Sequence, residues 1–335
     1  MHLDEPSITI IIPTLNEEGF IGDCIQSLVL GSYPIEKIEV LVVDGDSTDN
    51  TKQEVTKLKL AGLDLRLLEN PKKIAPSAMN IGVANAKHEL LMWCGAHAVY
   101  DHDYVKLSVQ TIVNTPHASS VGGVIRPIAK TRMGNAIALA TSSKFGIGNA
   151  QYRYATARQE VDTVFGGCFR KSDVLKIGGF NEEWIRNQDY EFNFRLRTQI
   201  GPIVLEPTIQ CQYYCRESLE ALAKQYLSYG FWRYNTLKSH PSSFTYRQAA
   251  PVLLCSGLAF SLIGILLGYS LFWLMPALYI AASTAVAVNI ALKENKAILA
   301  ILLPAVFATL HISWGTGFLK NFLSSTYKKL TFNQN

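Results

Sequence analysis

From residue 248 to residue 292 the chain carries no Asp, Glu, Lys or Arg, and after Lys293-Glu294-Asn295-Lys296 a second uncharged stretch runs from 297 to 319. A membrane-spanning helix needs roughly 20 apolar residues, so the first stretch is long enough for two spans and the second for one. A buried helical core is the competing reading, but soluble domains rarely string so many residues together without a charge. The C-terminal quarter is therefore expected to lie in a membrane.

Length and charge bound the rest. A chain of 335 residues can hold one large domain or two ordinary ones, and a net charge of +4 gives no footing for a nucleic-acid partner. Met1-His2-Leu3-Asp4-Glu5 lacks a basic flank followed by an apolar segment, so no signal peptide is expected and the first domain is expected to stay in the cytosol. Cys24, Cys94, Cys168, Cys211, Cys215 and Cys255 show no CxxC pair or zinc spacing, which predicts reduced, mostly buried thiols.

Ser7-Ile8-Thr9-Ile10-Ile11-Ile12 reads as a buried strand ended by Pro13, and Phe20, Ile21, Cys24, Ile25, Leu28 and Val29 mark one face of the helix after it. Further strands are expected at 38–43, 65–68, 89–94, 120–125 and 163–170, with helices at about 48–60, 77–86, 104–113 and 189–197. That alternation implies βαβ units and a mostly parallel sheet. Residues 130–163 show no strong period and read as an irregular covering loop.

Behind the apolar run 38–43 stands Asp44-Gly45-Asp46-Ser47-Thr48-Asp49. Carboxylates and hydroxyls at the carboxyl end of a strand suit the donors of a nucleotide's base and ribose, and open α/β sheets bind ligands at that edge. The same string also serves as an ordinary turn and helix start.

Together with Pro13-Thr14-Leu15-Asn16-Glu17-Glu18, Asn80-Ile81-Gly82, Gly166-Gly167, Gly178-Gly179-Phe180 and Asn187-Gln188-Asp189-Tyr190-Glu191, this string resembles family 2 glycosyltransferases of the GT-A fold over about residues 7 to 215. Asn70-Pro71, Ala96-His97-Ala98-Val99 and Tyr229-Gly230-Phe231-Trp232-Arg233 extend the likeness to the succinoglycan-type exopolysaccharide glucosyltransferase subgroup. The resemblance implies an α/β GT-A fold with a mostly parallel central sheet, a nucleotide-diphosphate sugar donor (a UDP-sugar first), inversion at the anomeric carbon and a lipid-linked or polysaccharide acceptor. It also implies residue roles. Asp189 would be the base, Asp44 would accept from the nucleotide's base, Pro13, Asn16, Glu17 and Asp46 would line the donor pocket, Asn80 would hold the donor, and Gly166 and Gly167 would face the acceptor or form a bulge.

An acceptor hydroxyl is a poor nucleophile, so a carboxylate must take its proton as it attacks; one base suffices for this displacement, whereas a hydrolase needs a second carboxyl group. The family pattern commonly has Glu where Gln188 stands, and removing that neighbouring charge should weaken Asp189 slightly as a base. Glu191 is expected to pair with Arg195 one turn on. The metal triplet after the fourth strand, Asp-x-Asp or Asp-x-His in relatives, is Gly95-Ala96-His97 here. A divalent cation, Mn²⁺ or Mg²⁺, would then rest on His97, diphosphate oxygens and water; Asp101 and Asp103 are near enough in sequence to be considered as substitute carboxylates, though a helix N-cap role competes for each, and stabilisation of the diphosphate by protein cations such as Lys72, Lys73 or Arg126 is the alternative to a metal.

The expected division is a GT-A domain at 1–215, interfacial helices at 216–247 rich in aromatic and basic residues, membrane helices at 248–320 and a polar tail at 321–335. Arg233, Lys238 and Arg247 place the first domain on the cytoplasmic face of the inner (plasma) membrane, and a hairpin of about 249–268 and 271–292 returns Lys293 and Lys296 to that side. A full third crossing puts Lys320, Lys328 and Lys329 outside, so Pro304, Gly315 and Gly317 leave a broken or re-entrant third segment open beside it. Function is expected to be that of a multi-pass, non-processive glycosyltransferase. The alternatives are a transferase making polyprenyl-phosphate sugar and a nucleotide-sugar-binding pseudoenzyme that scaffolds glycan export.

Overall fold

The computed structural model describes residues 5–58 and 60–332, with side chains through residue 326. Residues 1–4, on which the reading of the N-terminus rests, and 333–335 of the expected tail lie outside the described residues. The chain divides into two compact units, the first comprising residues up to 126 together with 151–214, the second 127–150 together with 215–335.

In the first unit the continuous apolar runs become strands covered on both faces, as parallel pairing requires. β1 (Ile8–Thr14) leads to α1 (Ile21–Val29), and β2 (Ile38–Asp44) to α2 (Thr51–Lys57). β3 (Asp64–Glu69) leads to α3 (Ala75–Asn85), and β4 (Leu90–Trp93) is followed by the short β5 (Ala98–Tyr100) and α4 (Tyr104–Val113). β6 (Ser120–Ile128) then runs into an excursion carrying α5 (Arg132–Ala140) and α6 (Lys144–Ile147). The unit closes with β7 (Gln159–Val161), β8 (Phe165–Arg170), α7 (Lys171–Lys176), α8 (Gln188–Gln199) and β9 (Ile203–Tyr214).

These strands form one sheet in the order β3-β2-β1-β4-β8-β6-β9-β5, with β7 also on β9. β1, β2, β3 and β4 are mutually parallel, whereas β8 runs antiparallel to β4 and β6, and β9 antiparallel to β5 and β7. The expected parallel arrangement thus describes the first half of a mixed sheet. Ile10, Ile12, Val40, Val42 and Met92 are fully buried on the α1 side, and Ile11, Leu41, Leu91 and Phe169 on the side covered by α3 and α8. Each such side chain stabilises the unit by about 1.5–3 kcal/mol relative to exposure. All six cysteines are free thiols, and burial pushes Cys168 and Cys211 up to about 12, which keeps them protonated and inert.

The second unit is helical. α9 (Leu219–Ser239), α10 (Tyr246–Leu266), α11 (Leu274–Lys293) and α12 (Leu299–Phe332) make it up with α5 and α6. Three helices, Tyr246–Leu266, Ser270–Lys293 and Leu299–Thr326, are long and apolar enough to cross a membrane by length and composition. Leu253, Leu266, Leu271, Leu292 and Ile301 stand exposed on them, a surface suited to lipid.

Two expectations for this region are corrected. α12 is unbroken across Pro304, Gly315 and Gly317, so the third segment is a continuous helix rather than a broken one. Its glycines serve packing instead: a Cβ at Gly317 would lie 2.0 Å from the Leu227 carbonyl oxygen, and one at Gly230 of α9 would lie 1.9 Å from that of Trp314. Residues 130–163 are likewise no single irregular loop. Thr131 and Ser143 cap α5 and α6 by accepting from the N–H groups of Gly134 and Gly146, and Ala136, Ile137 and Ala140 bury against Phe307 and Leu310 of α12.

Candidate active site

Because β1, β2 and β4 run parallel, their carboxyl ends deliver residues 15–20, 45–50 and 94–97 to one edge of the sheet. The first two loops are knitted together. Ser47 Oγ accepts from the Asn16 N–H at 2.9 Å, Asn16 Oδ1 accepts from the Thr48 N–H at 2.9 Å, and Thr51 Oγ1 accepts from the Glu17 N–H at 2.8 Å. Asp49 accepts from the Glu18 N–H at 3.1 Å, and Glu54 from the Gly19 N–H at 3.0 Å. Asn16 and Asp46 both sit in left-handed backbone at φ of 55° and 67°, where short polar side chains are tolerated. Ser47, Thr48 and Thr51 are thus the residues that join the two loops, a role the sequence string did not reveal.

Asp44 is 2% exposed, and both of its carboxylate oxygens accept from Ser47, one from the N–H at 2.9 Å and the other from the hydroxyl. Lys52 Nζ stands 3.5 Å away. Asp44 therefore shapes its own turn. Replacing Ser47 with Ala is expected to lower the thermal midpoint by the equivalent of about 1–3 kcal/mol, because a buried carboxylate loses a donor and the Asn16 N–H loses its acceptor. Differential scanning fluorimetry in detergent checks this, and an unchanged midpoint would refute the latch.

Asp46 is exposed and bridged by Lys73 at 2.7 Å and Lys52 at 3.3 Å; hydrogen bonds from Lys73 and then Lys52 hold its carboxyl below the usual range. Asn80 is engaged within the protein. Its amide donates to the Phe180 carbonyl at 2.9 Å and to Glu182 at 3.0 Å, and accepts from the Phe180 N–H at 2.8 Å. Glu182 in turn pairs with Lys72. Pro13 lies in β1 opposite Val43 of β2, one step from the latch.

Gly166 and Gly167 adopt φ of 66° and 125°, and a Cβ at Gly166 would lie 2.6 Å from the Trp93 carbonyl oxygen. Only glycine allows β8 to approach the end of β4 this closely, and the β6–β8 register slips beside them, between Val121 and Gly123.

α8 brings Asp189 to the same edge. Phe192 stacks on Phe180 with ring centroids 3.9 Å apart, Phe180 meets Trp93 at the end of β4 edge-on, and Asn193 donates to Thr163 Oγ1 at 2.7 Å, just before β8. Asp189 lies one turn beyond, towards the carboxyl ends of the parallel strands. It is partly buried, and desolvation raises its carboxyl above the ordinary value although Oδ1 accepts from the Tyr190 N–H at 2.8 Å. Loss of water thus outweighs the stabilisation that a helix N-terminus gives an anion. The expected Glu191–Arg195 pair forms at 2.6 Å, and Arg195 also donates to the Ile177 and Gly179 carbonyls at 2.7 and 2.8 Å.

Beyond β4, Tyr100 fixes Gly95 by accepting from its N–H at 2.7 Å. His97 packs against the Tyr213 ring, and its Nδ1 lies 3.1 Å from Glu17 Oε1. Asp101 and Asp103 are exposed, and among the described residues no three of His, Cys, Asp and Glu converge as a metal cluster. One imidazole and one carboxylate fit a divalent cation that completes its shell with ligand oxygens and water, and the nitrogen favours Mn²⁺ over Mg²⁺.

A nucleotide-type edge on a parallel half-sheet, extended by antiparallel strands and an acidic helix start, defines the GT-A class of transferase. The chain belongs to glycosyl transferase family 2, whose domain matches residues 9–178, about half of the chain. It is 32% identical over 67% of its length to a dolichyl N-acetyl-alpha-D-glucosaminyl phosphate 3-beta-D-2,3-diacetamido-2,3-dideoxy-beta-D-glucuronosyltransferase of Methanococcus voltae, covering 71% of that protein. To the succinoglycan biosynthesis protein ExoA of Rhizobium meliloti it is 29% identical, over 75% of this chain and 76% of that one. The mannosyltransferase PcManGT from Pyrobaculum calidifontis, solved with GDP-Man and Mn²⁺, shares the fold with a TM-score of 0.60 at 18% identity, covering 95% of this chain and 87% of that one.

Proposed function

We propose that this glycosyltransferase is a membrane-anchored, inverting enzyme that moves a sugar from a nucleotide-diphosphate donor, a UDP-sugar first, to a lipid-linked or polysaccharide acceptor in surface-glycan synthesis. The observation that carries the reading is the gathering of three elements at one sheet edge: the interlocked loops of β1 and β2, the Glu17–His97 pair and the desolvated carboxyl of Asp189.

The donor's nucleoside would lie on the loop shaped by Asp44, with Pro13, Asn16 and Asp46 around it and Asn80 fixing the Phe180 loop alongside. Gly166 and Gly167, buried in β8, would form the bulge beneath the acceptor side that the β6–β8 register slip marks. Asp189 takes the proton of the acceptor hydroxyl as its oxygen bonds to the anomeric carbon and the bond to the nucleoside diphosphate breaks, which inverts that carbon. A bound divalent cation, Mn²⁺ or Mg²⁺, would offset the charge growing on the departing diphosphate.

A lipid-linked acceptor agrees with the Methanococcus voltae relative, whose name specifies a dolichyl phosphate-linked sugar, and with the three apolar helices. The cytoplasmic face of the plasma membrane, crossed several times, is where donor and acceptor would meet. The test is transfer from radiolabelled UDP-sugars by full-length protein in detergent, with and without lipid-linked saccharide. Label in a lipid-linked disaccharide or longer glycan, with the anomeric centre inverted, is the expected product. Label solely in polyprenyl-phosphate monosaccharide, or none above a heat-killed control, would overturn the proposal.

A further inference from the structure

The carboxylate missing from position 95 has a counterpart elsewhere on the same edge. Of the acids in the two interlocked loops, Asp44 is held by Ser47, Asp46 by Lys73 and Lys52, Glu18 by Asn50, Asp49 by Thr51 and the Glu18 N–H, and Glu54 by the Gly19 N–H. Glu17 differs. Its N–H is secured by Thr51, while its carboxylate meets the imidazole of His97 at 3.1 Å, 80 positions away in the chain.

We infer that Glu17 replaces the carboxylate absent at position 95, so that Glu17 and His97 together hold one divalent cation of the Mn²⁺ class. This deepens the donor-site reading and rests on it, moving Glu17 from the nucleoside to the cation. Two neighbouring ligands of an octahedral ion with metal–ligand bonds near 2.1 Å are about 3 Å apart, so the 3.1 Å hydrogen bond between Nδ1 and Oε1 already holds the two donor atoms at the spacing a shared ion requires, and the ion would take the place of that hydrogen bond. Charge agrees as well: a neutral imidazole alone gives a dication no compensation, and one carboxylate restores part of it. Both side chains keep solvent access, at 19% and 37% exposure, so a donor's diphosphate oxygens can complete the shell.

The experiment follows Mn²⁺ itself, by the loss of its free electron paramagnetic resonance signal on titration into full-length protein in detergent, with UDP or GDP present. Wild type is expected to bind one Mn²⁺ per chain. Glu17→Gln, which keeps size and shape, and His97→Ala are each expected to weaken binding by about tenfold or more. Gly95→Asp placed on Glu17→Gln should recover most of it, since the residue's backbone admits a side chain and a Cβ would meet only the Phe165 ring edge at 3.2 Å. Thermal melts verify that each variant is folded. Wild type without bound Mn²⁺, or Glu17→Gln with wild-type affinity, would overturn the assignment. Calorimetry of UDP and GDP in EDTA separates the two readings: nucleotide binding with Mn²⁺ uptake indifferent to Glu17→Gln sinks this inference alone, whereas no nucleotide binding under any condition sinks the donor-site reading.

Discussion

Asp189→Asn is expected to lower transfer by about 10²- to 10⁴-fold while leaving nucleotide affinity and fold intact. An amide has the same shape and can still accept from the Tyr190 N–H, but it cannot take a proton from the attacking hydroxyl. Initial rates with a saturating UDP-sugar, set beside calorimetric UDP binding, make the comparison. Equal turnover in the two proteins would remove Asp189 from the mechanism.

The pH profile carries an independent mark of the same group. Desolvation raises the Asp189 carboxyl, so the ionised base accumulates only above the ordinary aspartate range, and the acid limb of kcat/KM should fall at correspondingly higher pH. The sign for stability is opposite. The folded protein holds this proton more tightly than the unfolded chain, so stability is lost as pH rises from the unfolded value through the raised folded one. Asp189→Asn escapes that loss, and its thermal midpoint at neutral pH should equal or exceed that of wild type. Gln188 removes a neighbouring charge that would have strengthened the base; burial supplies strength by another route.

What could be read locally from the sequence was the covered strands, the helix starts and the acidic loop. Their signals are a continuous apolar run, a 3.6-residue period and a turn string, each contained within a dozen residues. β9 was missed because Glu206-Pro207 interrupts it: residues 203–205 pair with β7 and 211–213 with β5, and a proline inside a run argues against a strand. α5 escaped for a different reason, since Ala136, Ile137 and Ala140 become a core face only when α12, more than 160 residues later, covers them. Glu17 and His97 show the same limit at the site. The sequence marks each of them separately, but their pairing exists only once β1 and β4 lie side by side.

Arg195→Met is expected to produce the largest loss of stability, about 3 kcal/mol, seen as a fall in the thermal midpoint. Arg195 is 14% and Glu191 2% exposed, so removing the guanidinium takes a charged partner from a carboxylate with almost no access to water. The Ile177 and Gly179 carbonyls lose their donor at the same time, and those residues form the turn that presents Phe180 to Phe192. Transfer should therefore fall beyond what partial unfolding explains, since the Phe180–Phe192 stack sets where the first turn of α8, and with it Asp189, stands. Adding Glu191→Met should recover part of the stability by removing the stranded charge, but little of the activity, because the turn stays unanchored. If the double variant instead regains full transfer, the turn's anchoring does not position Asp189, and the ion pair's whole contribution lies in the core.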